Sequence, residues 1–168
     1  MRQHMHPVMR PAFAAALMLL LALTACGGSN APAPAKPAAS AIASPEAVTR
    51  VGDVSIHASV VQTSILAPAI ASAYGIIRDE HRVLLLVAVR QGPDAQAIAL
   101  PAKVVATVTD LRGRRQDITM RELRSGDLLD YIGTVEIELP DTLRFDVVVT
   151  RTGGATSTMQ FNREFYPR

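Results

Sequence analysis

Apolar and polar residues alternate along much of the chain beyond residue 48, with the two-residue period of strands that bury one face. The clearest case runs from Leu129 to Leu139, where every second position is apolar or glycine. Alternation of the same kind begins at Val54, Val104 and Leu143. Gly, Pro and Asp residues separate these segments, and regularly spaced short strands of this kind predict a sandwich or a barrel.

One segment departs from the alternation. Val83–Val89 reads VLLLVAV and is apolar at every position, which is typical of a strand covered on both faces. Upstream of it, Pro68 suits the first turn of a helix and Gly75 suits its end. We therefore expect a short helix over residues 67–74 that covers the outer face of the apolar strand.

These patterns predict about seven strands and one short helix in residues 48–168. Seven short strands in a domain of this size are typical of an immunoglobulin-like β-sandwich. The chain has one cysteine and no tryptophan, so the disulfide and core tryptophan of antibody domains cannot be present. We therefore predict an all-β fold with the immunoglobulin-like sandwich architecture, and infer no family from it.

The first 25 residues have the pattern of a secretory signal peptide. Arg2 and Arg10 occur there without any acidic residue, and an apolar run follows from Ala12 to Leu23. A cationic segment followed by an apolar one of this length is typical of such a signal. The run is short for a membrane-spanning helix, which needs about 20 apolar residues.

The end of that signal predicts a lipid anchor. Leu23-Thr24-Ala25-Cys26 resembles the bacterial lipobox, which implies cleavage before Cys26 and a diacylglycerol on its thiol, usually with acylation of the new amine. Two or more acyl chains give stable membrane anchoring. The resemblance further suggests the periplasmic face of the outer membrane of a Gram-negative bacterium, because Gly27 replaces the Asp of an inner-membrane retention signal. The alternative is an ordinary signal peptide with an incidental cysteine.

Residues 26–47 form a predicted linker between the anchor and the domain. They are mainly Ala, Pro, Ser and Gly with almost no bulky side chain. Such a segment cannot bury enough apolar area to offset its ordering entropy, so we expect it to be disordered. The predicted organisation is therefore a signal peptide over 1–25, a lipidated linker over 26–47 and a β-sandwich over 48–168.

The basic pI of about 9.0 belongs to the precursor. The chain has 17 basic and 15 acidic residues, and Arg2 and Arg10 lie in the predicted signal. Their removal leaves fifteen of each sign, which disfavours a nucleic-acid partner.

Few residues indicate catalysis. His57 lies on the polar face of its strand, and His81 follows Asp79 and Glu80. The latter group is interpreted either as a metal or acid–base site or as a solvated turn at the start of a strand. Serine-hydrolase elbow, phosphate-loop and common metal patterns are absent from the sequence. We predict no catalytic residue, no metal site and no cofactor.

Two kinds of side chain are candidates for binding. Five arginines fall within 13 residues: Arg112, Arg114, Arg115, Arg121 and Arg124. Arg114 and Arg115 are the candidates for an anion site, whereas the interleaved acids favour a salt-bridged hairpin. Tyr74 and Tyr131 are either recognition aromatics or core residues. Exposed strand edges are general sites of partner addition.

An ordered set of short segments resembles a family of small proteobacterial lipoproteins, domain of unknown function 4426 (DUF4426). The set comprises Leu66–Pro68, Ala73–Ile76 with Arg78, the apolar strand from Val83, Arg121–Leu123, Thr142–Asp146, and Phe161 with Glu164–Tyr166. The resemblance spans about residues 50–168. It supports the anchor and the fold and supplies no catalytic residue.

This chain departs from the family pattern at two places. The family has aromatic and Asn residues where Ala58–Val60 stand, and a Ser-Lys type of turn where Asp79 and Glu80 stand. A role of those positions in relatives therefore does not transfer to this chain.

The predicted function is a non-catalytic binding or accessory module of the cell envelope. Its expected partners are the membrane, through the lipid on Cys26, and an envelope protein or glycan. An envelope enzyme with an unrecognised site and a structural spacer are the alternatives.

Overall fold

The computed structural model describes residues 46–168. The predicted signal peptide, the lipobox cysteine Cys26 and nearly all of the predicted linker lie outside the described residues. Within the described part, no helix is long and apolar enough to cross a membrane.

The described chain contains ten strands and one short α-helix. The strands are β1 (Ala47–Val51), β2 (Val54–Gln62), β3 (Arg82–Gln91), β4 (Ile98–Ala99), β5 (Ala102–Thr109), β6 (Arg115–Ile118), β7 (Arg121–Ser125), β8 (Leu128–Glu136), β9 (Asp141–Arg151) and β10 (Thr156–Phe165). The helix α1 spans Pro68–Ala73, and single 3₁₀ turns span Thr63–Ile65 and Asp94–Gln96.

The strands form two antiparallel sheets, which we call sheet A and sheet B. Sheet A has the order β1-β2-β3-β8-β7, with β4 paired to β3. Sheet B has the order β10-β9-β5-β6. Their inner faces share one hydrophobic core, in which Phe145, Ile56 and Leu85 are among the fully buried side chains. The predicted all-β sandwich with one short helix is confirmed.

Ten strands are seen among the described residues, against the predicted seven. The additional strands are β1 and β4, and the single strand predicted through Ile118 and Met120 up to the turn at Ser125 is divided into β6 and β7. Strand β7 has the sequence RELRS, with Leu123 as its one apolar residue, and β4 contains two residues. Short strands at sheet edges bury little side-chain area, so they lack the apolar alternation by which the other strands are recognised.

Helix α1 covers one end of the outer face of sheet A. Ala71 and Ile76 pack there against Leu84 of β3 and Ile132 of β8, and these four side chains form a second, smaller cluster. The opposite side of β3 faces the main core. The prediction that the helix covers the apolar strand is therefore confirmed, and it explains why that strand is apolar on both faces.

The chain crosses from sheet B to sheet A between β6 and β7, directly over Gly133 of β8. A Cβ atom at Gly133 would lie 2.6 Å from Cγ2 of Ile118 and 2.8 Å from the carbonyl oxygen of Thr119. Such distances are far below van der Waals contact. The glycine in the strand is thus required by the close approach of a second backbone segment.

Candidate functional site

A shallow pocket lies on the outer face of sheet A, at the end that helix α1 leaves uncovered. Its volume is about 400 Å³. The floor comes from β2 and β3, and the walls come from the residue before β1, the segment after β3 and the start of β8. We call it the outer pocket. Its lining residues are Glu46, Ser55, His57, Ala88, Arg90, Asp94, Ala97 and Leu128.

The depression arises from small side chains on neighbouring strands. Ser55 pairs with Arg90 across β2 and β3, and His57 pairs with Ala88. Side chains of paired residues lie on the same face of the sheet. Ser55 and Ala88 therefore lie diagonally opposite each other, next to the larger side chains of Arg90 and His57. Bulky residues at these two positions would fill the pocket.

A contact between a histidine and a carboxylate forms one wall of the outer pocket. The Nδ1 atom of His57 lies 3.1 Å from Oε2 of Glu46. The imidazole is mostly buried, with 22% of its surface exposed. Since one ring nitrogen is engaged by the carboxylate, the orientation of the ring is held, and Nε2 remains for another partner.

The opposite wall carries Asp94, which is held by Arg50 of β1. Both terminal nitrogens of Arg50 donate to Asp94 at 3.2 Å. The pKa of Asp94 lies below its ordinary value, chiefly because of the hydrogen bonds from Arg50, then its charge, with a smaller contribution from His57. Asp94 is therefore an anion in neutral solution, and its charge is balanced by Arg50.

Arg90 on the floor is also balanced. It forms an ion pair with Asp130 of β8, and both side chains are mostly buried. Its NH1 group donates to the backbone carbonyl oxygen of Leu129 at 3.0 Å. The floor thus presents a cation whose charge is already neutralised, so the outer pocket has no strong excess of either sign.

One polar atom of the pocket has no partner. The hydroxyl oxygen of Ser55 is buried and forms no hydrogen bond with the described residues. Ser55 as a whole is 2% exposed. A buried hydroxyl that lacks a hydrogen bond costs about 1–3 kcal/mol. A ligand group that bonds with it after a local shift of the covering atoms would recover this cost.

The geometry does not assemble a nucleophile. Ser55, His57 and Glu46 are the residue types of a hydrolase triad, yet no hydrogen bond joins the Ser55 hydroxyl to the imidazole. Nucleophilic activation needs that contact. No group of three or more His, Cys, Asp or Glu side chains within residues 46–168 is arranged to hold a metal ion. The arrangement suits hydrogen bonding to a ligand.

The predicted anion site lies elsewhere, beside strand β6. Arg114 and Arg115 line an open groove of about 620 Å³ together with Glu136 and Glu138. Arg114 contacts Asp110 at 2.6 Å and Glu138 at 3.3 Å. Opposite charges therefore occupy the same groove, as in the salt-bridged interpretation, and anion binding by Arg114 and Arg115 stays a prediction.

Asp110 organises the turn that carries these arginines. It accepts backbone N–H bonds from Arg112 at 2.9 Å and Arg114 at 2.8 Å. Burial opposes the ionisation of Asp110, but the hydrogen bonds and charge of Arg114 and the amide of Arg112 outweigh it, so its pKa lies below the ordinary value. The pKa of Arg114 is raised by the hydrogen bond to Asp110 and by the charge of Glu138.

The other predicted residues have structural contacts. Tyr74 is half-buried and packs on the small cluster under helix α1. Tyr131 is 3% exposed and lies in the main core, and its hydroxyl oxygen accepts a hydrogen bond from the Ala102 amide at 2.7 Å. His81 is exposed at the start of β3, and its amide donates to Asp79 at 2.6 Å. The last contact agrees with a turn that begins a strand.

The sequence indicated only His57 among the residues of the outer pocket. Glu46 lay in the predicted linker, and Asp94 and Ala97 in a predicted loop. The sequence did contain one indication of the pocket, which is the presence of the small residues Ser55 and Ala88 at outward positions of long strands. They indicate a pocket only when the register of β2 against β3 is known, because that register places them next to each other.

Comparison with known families decides the identity of the domain. Residues 48–168 match the model of a family described as a domain of unknown function, DUF4426. The chain belongs to the DUF4426 family. The resemblance inferred from the ordered segments is thereby confirmed.

Solved structures agree with this assignment. The chain is similar to the DUF4426 family protein PA0388 from Pseudomonas aeruginosa PAO1, with 27% identity, a TM-score of 0.63 and coverage of 73% of this chain and 96% of that one. A copper-bound variant of FetP from uropathogenic Escherichia coli is more distant. It shows 10% identity and a TM-score of 0.48, with 71% of this chain and 93% of that one covered. That likeness supports no statement about metal binding here. A search of curated proteins found no match.

Proposed function

We propose that this DUF4426 protein is a non-catalytic binding module of the bacterial envelope, and that its ligand occupies the outer pocket. The observation that carries the proposal is the buried Ser55 hydroxyl, which has no hydrogen-bond partner among the described residues. The hydroxyl lies on the floor of a pocket whose charged side chains are already held by neighbours. Such a site can accept a ligand without rearranging its own ion pairs, which lowers the entropic cost of binding.

The chemistry of the lining favours a polypeptide segment. The Nε2 atom of His57 and the hydroxyl of Ser55 can exchange hydrogen bonds with a peptide group, which offers both a donor and an acceptor. Ala88, Ala97 and Leu128 supply apolar contacts beside them. The ion pairs of Arg90 and Asp94 leave little net charge, so a strongly anionic or cationic ligand gains little. A glycan is the second candidate, since it also exchanges hydrogen bonds of both kinds.

The cellular setting of the proposal follows from the sequence. A lipid on Cys26 would hold the protein at the periplasmic face of the outer membrane, with the linker allowing the domain to reach partners. Binding there would be an accessory role toward another envelope component. An envelope enzyme would instead need a nucleophile and base in contact, and a spacer would need no ligand.

Photo-crosslinking in living cells tests the proposal. We would introduce p-benzoylphenylalanine at Ala97 on the rim of the outer pocket, and at Thr158 as the control. Thr158 is exposed on the outer face of sheet B. We expect discrete ultraviolet-dependent adducts at Ala97 and none of the same mass at Thr158. Mass spectrometry of the adduct then identifies its class.

The possible outcomes separate the alternatives. A protein adduct specific to Ala97 supports a polypeptide ligand. A glycan adduct specific to Ala97 supports a ligand site in the outer pocket that binds a glycan. Equal labelling at both positions, or none at either, would contradict a ligand site in the outer pocket. The structural spacer would then be the alternative in best agreement with the result.

A further inference from the structure

Each sheet of the sandwich has two edge strands, and the four edges differ in how they are protected. In the described part of the chain, β1 and β7 end sheet A, and β10 and β6 end sheet B. An edge strand presents unpaired backbone groups to any further strand. Charged residues at inward positions oppose such pairing, because an added strand would bury them.

Three of the four edges are protected. On β7, Glu122 and Arg124 are paired with Tyr131 and Leu129, so they take inward positions, and they form an ion pair of 2.8 Å with each other. On β10, Arg163 takes an inward position opposite Leu143.

Strand β6 is protected in another way. Gln116 donates to the backbone carbonyl oxygen of Glu136 at 3.4 Å. Arg114, just before β6, pairs with Glu138. These contacts connect the β6 edge to the chain that follows β8 and restrict the approach of a further strand.

Strand β1 lacks both kinds of protection. Its inward positions, which pair with Ala58, Ile56 and Val54, are Ala47, Thr49 and Val51. None of them is charged. Val48, on the outward side, and Val51 are each 45% exposed. Strand β1 thus combines a free edge with uncharged inward residues and partly exposed valines.

The free backbone groups of β1 can be assigned from its hairpin with β2. Val51 pairs with Val54 across a two-residue turn, and the residues that flank such a turn exchange hydrogen bonds with each other. Hydrogen-bonded and non-hydrogen-bonded pairs alternate along antiparallel strands. The amide and carbonyl groups of Arg50 and Val48 therefore point away from β2, toward the free edge.

We propose that β1 pairs with β1 of a second copy of this chain in an antiparallel, two-fold symmetric arrangement. The charges along the strand favour this occupant over an unrelated peptide. Pairing centred on Val48 places each Val48 opposite its symmetry mate and places Glu46 opposite Arg50 of the second copy. Two-fold symmetry then repeats the same contact between opposite charges at both ends of the interface.

Glu46 and Arg50 cannot form this pair within one chain. They are four residues apart on extended backbone, which separates them by about 13 Å at the usual strand rise. Within the chain, Glu46 contacts His57 and Arg50 contacts Asp94. Pairing with the second copy would therefore exchange these internal contacts for intermolecular ones.

The expected dimer is weak. Five residues of edge strand bury less than the roughly 1,200–2,000 Å² of a stable interface. We expect reversible association, with a dissociation constant in the micromolar range. This inference does not depend on the function proposed for the outer pocket.

Cysteine crosslinking of the full chain tests the arrangement. Val48→Cys places two thiols on the symmetry axis, where Cα atoms of a hydrogen-bonded antiparallel pair lie about 5.5 Å apart, within the range that a disulfide spans. Val105→Cys is the matched control, since Val105 is 48% exposed on the outer face of sheet B. After mild oxidation in cells we expect about tenfold more disulfide dimer from Val48→Cys than from the control.

A charge exchange separates the intermolecular contact from the internal ones. Glu46→Arg alone and Arg50→Glu alone should each raise the dissociation constant about tenfold, because two symmetry-related pairs become repulsive. The double variant E46R/R50E restores opposite charges only across the interface, while it still loses both internal pairs. We therefore expect sedimentation of the double variant to return to the wild-type dimer fraction.

Two results would overturn the proposal. One is equal crosslinking of Val48→Cys and Val105→Cys, together with a wild-type monomer at high micromolar concentration. The other is a Val48→Cys adduct with the mass of a different protein, which would assign the β1 edge to a heterologous strand.

Discussion

The Nδ1 atom of His57 and the Oε2 atom of Glu46 lie 3.1 Å apart, so the residue that precedes β1 is tied to the outer face of sheet A. The same strand supplies Arg50, which holds Asp94 on the far wall of the outer pocket. Strand β1 and the residue before it therefore contribute to both walls, through the Glu46–His57 contact and the Arg50–Asp94 ion pair. A pocket held in this way has its polar groups in position before a ligand arrives.

Gly133 is expected to be intolerant of even the smallest side chain. Gly133→Ala places a Cβ atom against Ile118 and the backbone of Thr119, and backbone cannot move aside cheaply. Overpacking of this kind costs about 1–3 kcal/mol of unfolding free energy. Urea denaturation of the variant measures the loss. Thr134→Ala, at the next residue on the outward face, is the control, and an equal loss in both variants would contradict the steric explanation.

The two tyrosines differ in what their hydroxyl groups do. Tyr131→Phe leaves the Ala102 amide without its 2.7 Å acceptor, and we expect a loss of about 1–2 kcal/mol. Tyr74→Phe removes a hydroxyl that makes no hydrogen bond to the described residues, so its stability should change little. Thermal unfolding of the two variants side by side checks this difference, and a larger effect at Tyr74 would refute it.

Asp110 should make stability depend on acid pH. Its pKa is lower in the folded chain than in the unfolded chain, so the unfolded state takes up protons first as the pH falls. The stabilisation by Asp110 is complete above its unfolded pKa of about 4 and is lost as the pH falls through the lower folded value. In Asp110→Asn we expect lower stability at neutral pH and a shallower decline in acid.

The matched control for that titration is Asp127→Asn. Asp127 is exposed in the turn between β7 and β8 and makes no ion pair with the described residues. Its variant loses no contact of this kind and should match the wild type in unfolding free energy at neutral pH. If Asp110→Asn and wild type decline in parallel below pH 4, the role assigned to the Asp110 carboxylate is wrong.

Cys26→Ser tests the proposed anchor. Without the thiol no diacylglycerol can be attached, so the protein should move from the membrane fraction to the soluble periplasmic fraction. Metabolic labelling with an alkyne fatty acid should mark the wild type and leave the variant unlabelled. A variant that stays in the membrane fraction would show that something other than lipid on Cys26 holds it there.

The sequence predicted those elements that bury apolar side chains. The alternation from Leu129 matches the buried positions of β8, and the run from Val83 matches a strand covered by the core and by helix α1. It did not predict β1, most of whose residues are exposed, and it did not divide β6 from β7. It also missed the crossover above Gly133, since a glycine in a strand does not reveal which segment lies over it.

The candidate site was largely hidden from the sequence. Glu46, Ser55 and Asp94 lie in three different segments, and the pairing of β2 with β1 and β3 brings them together. A local pattern cannot report such a register. The arginine cluster was easier to interpret, because the interleaved acids indicated the ion pairs of Arg114 with Asp110 and of Arg124 with Glu122.

Filling the outer pocket tests the central claim most directly. Ala88→Leu adds bulk to the pocket floor while its side chain still points outward, and Thr158→Leu adds comparable bulk on the outer face of sheet B. Each change would be combined with the photo-crosslinker at Ala97, and circular dichroism would confirm folding. We predict that Ala88→Leu abolishes the Ala97 adduct and that Thr158→Leu leaves it unchanged. An adduct of undiminished yield in folded Ala88→Leu would contradict binding in the outer pocket.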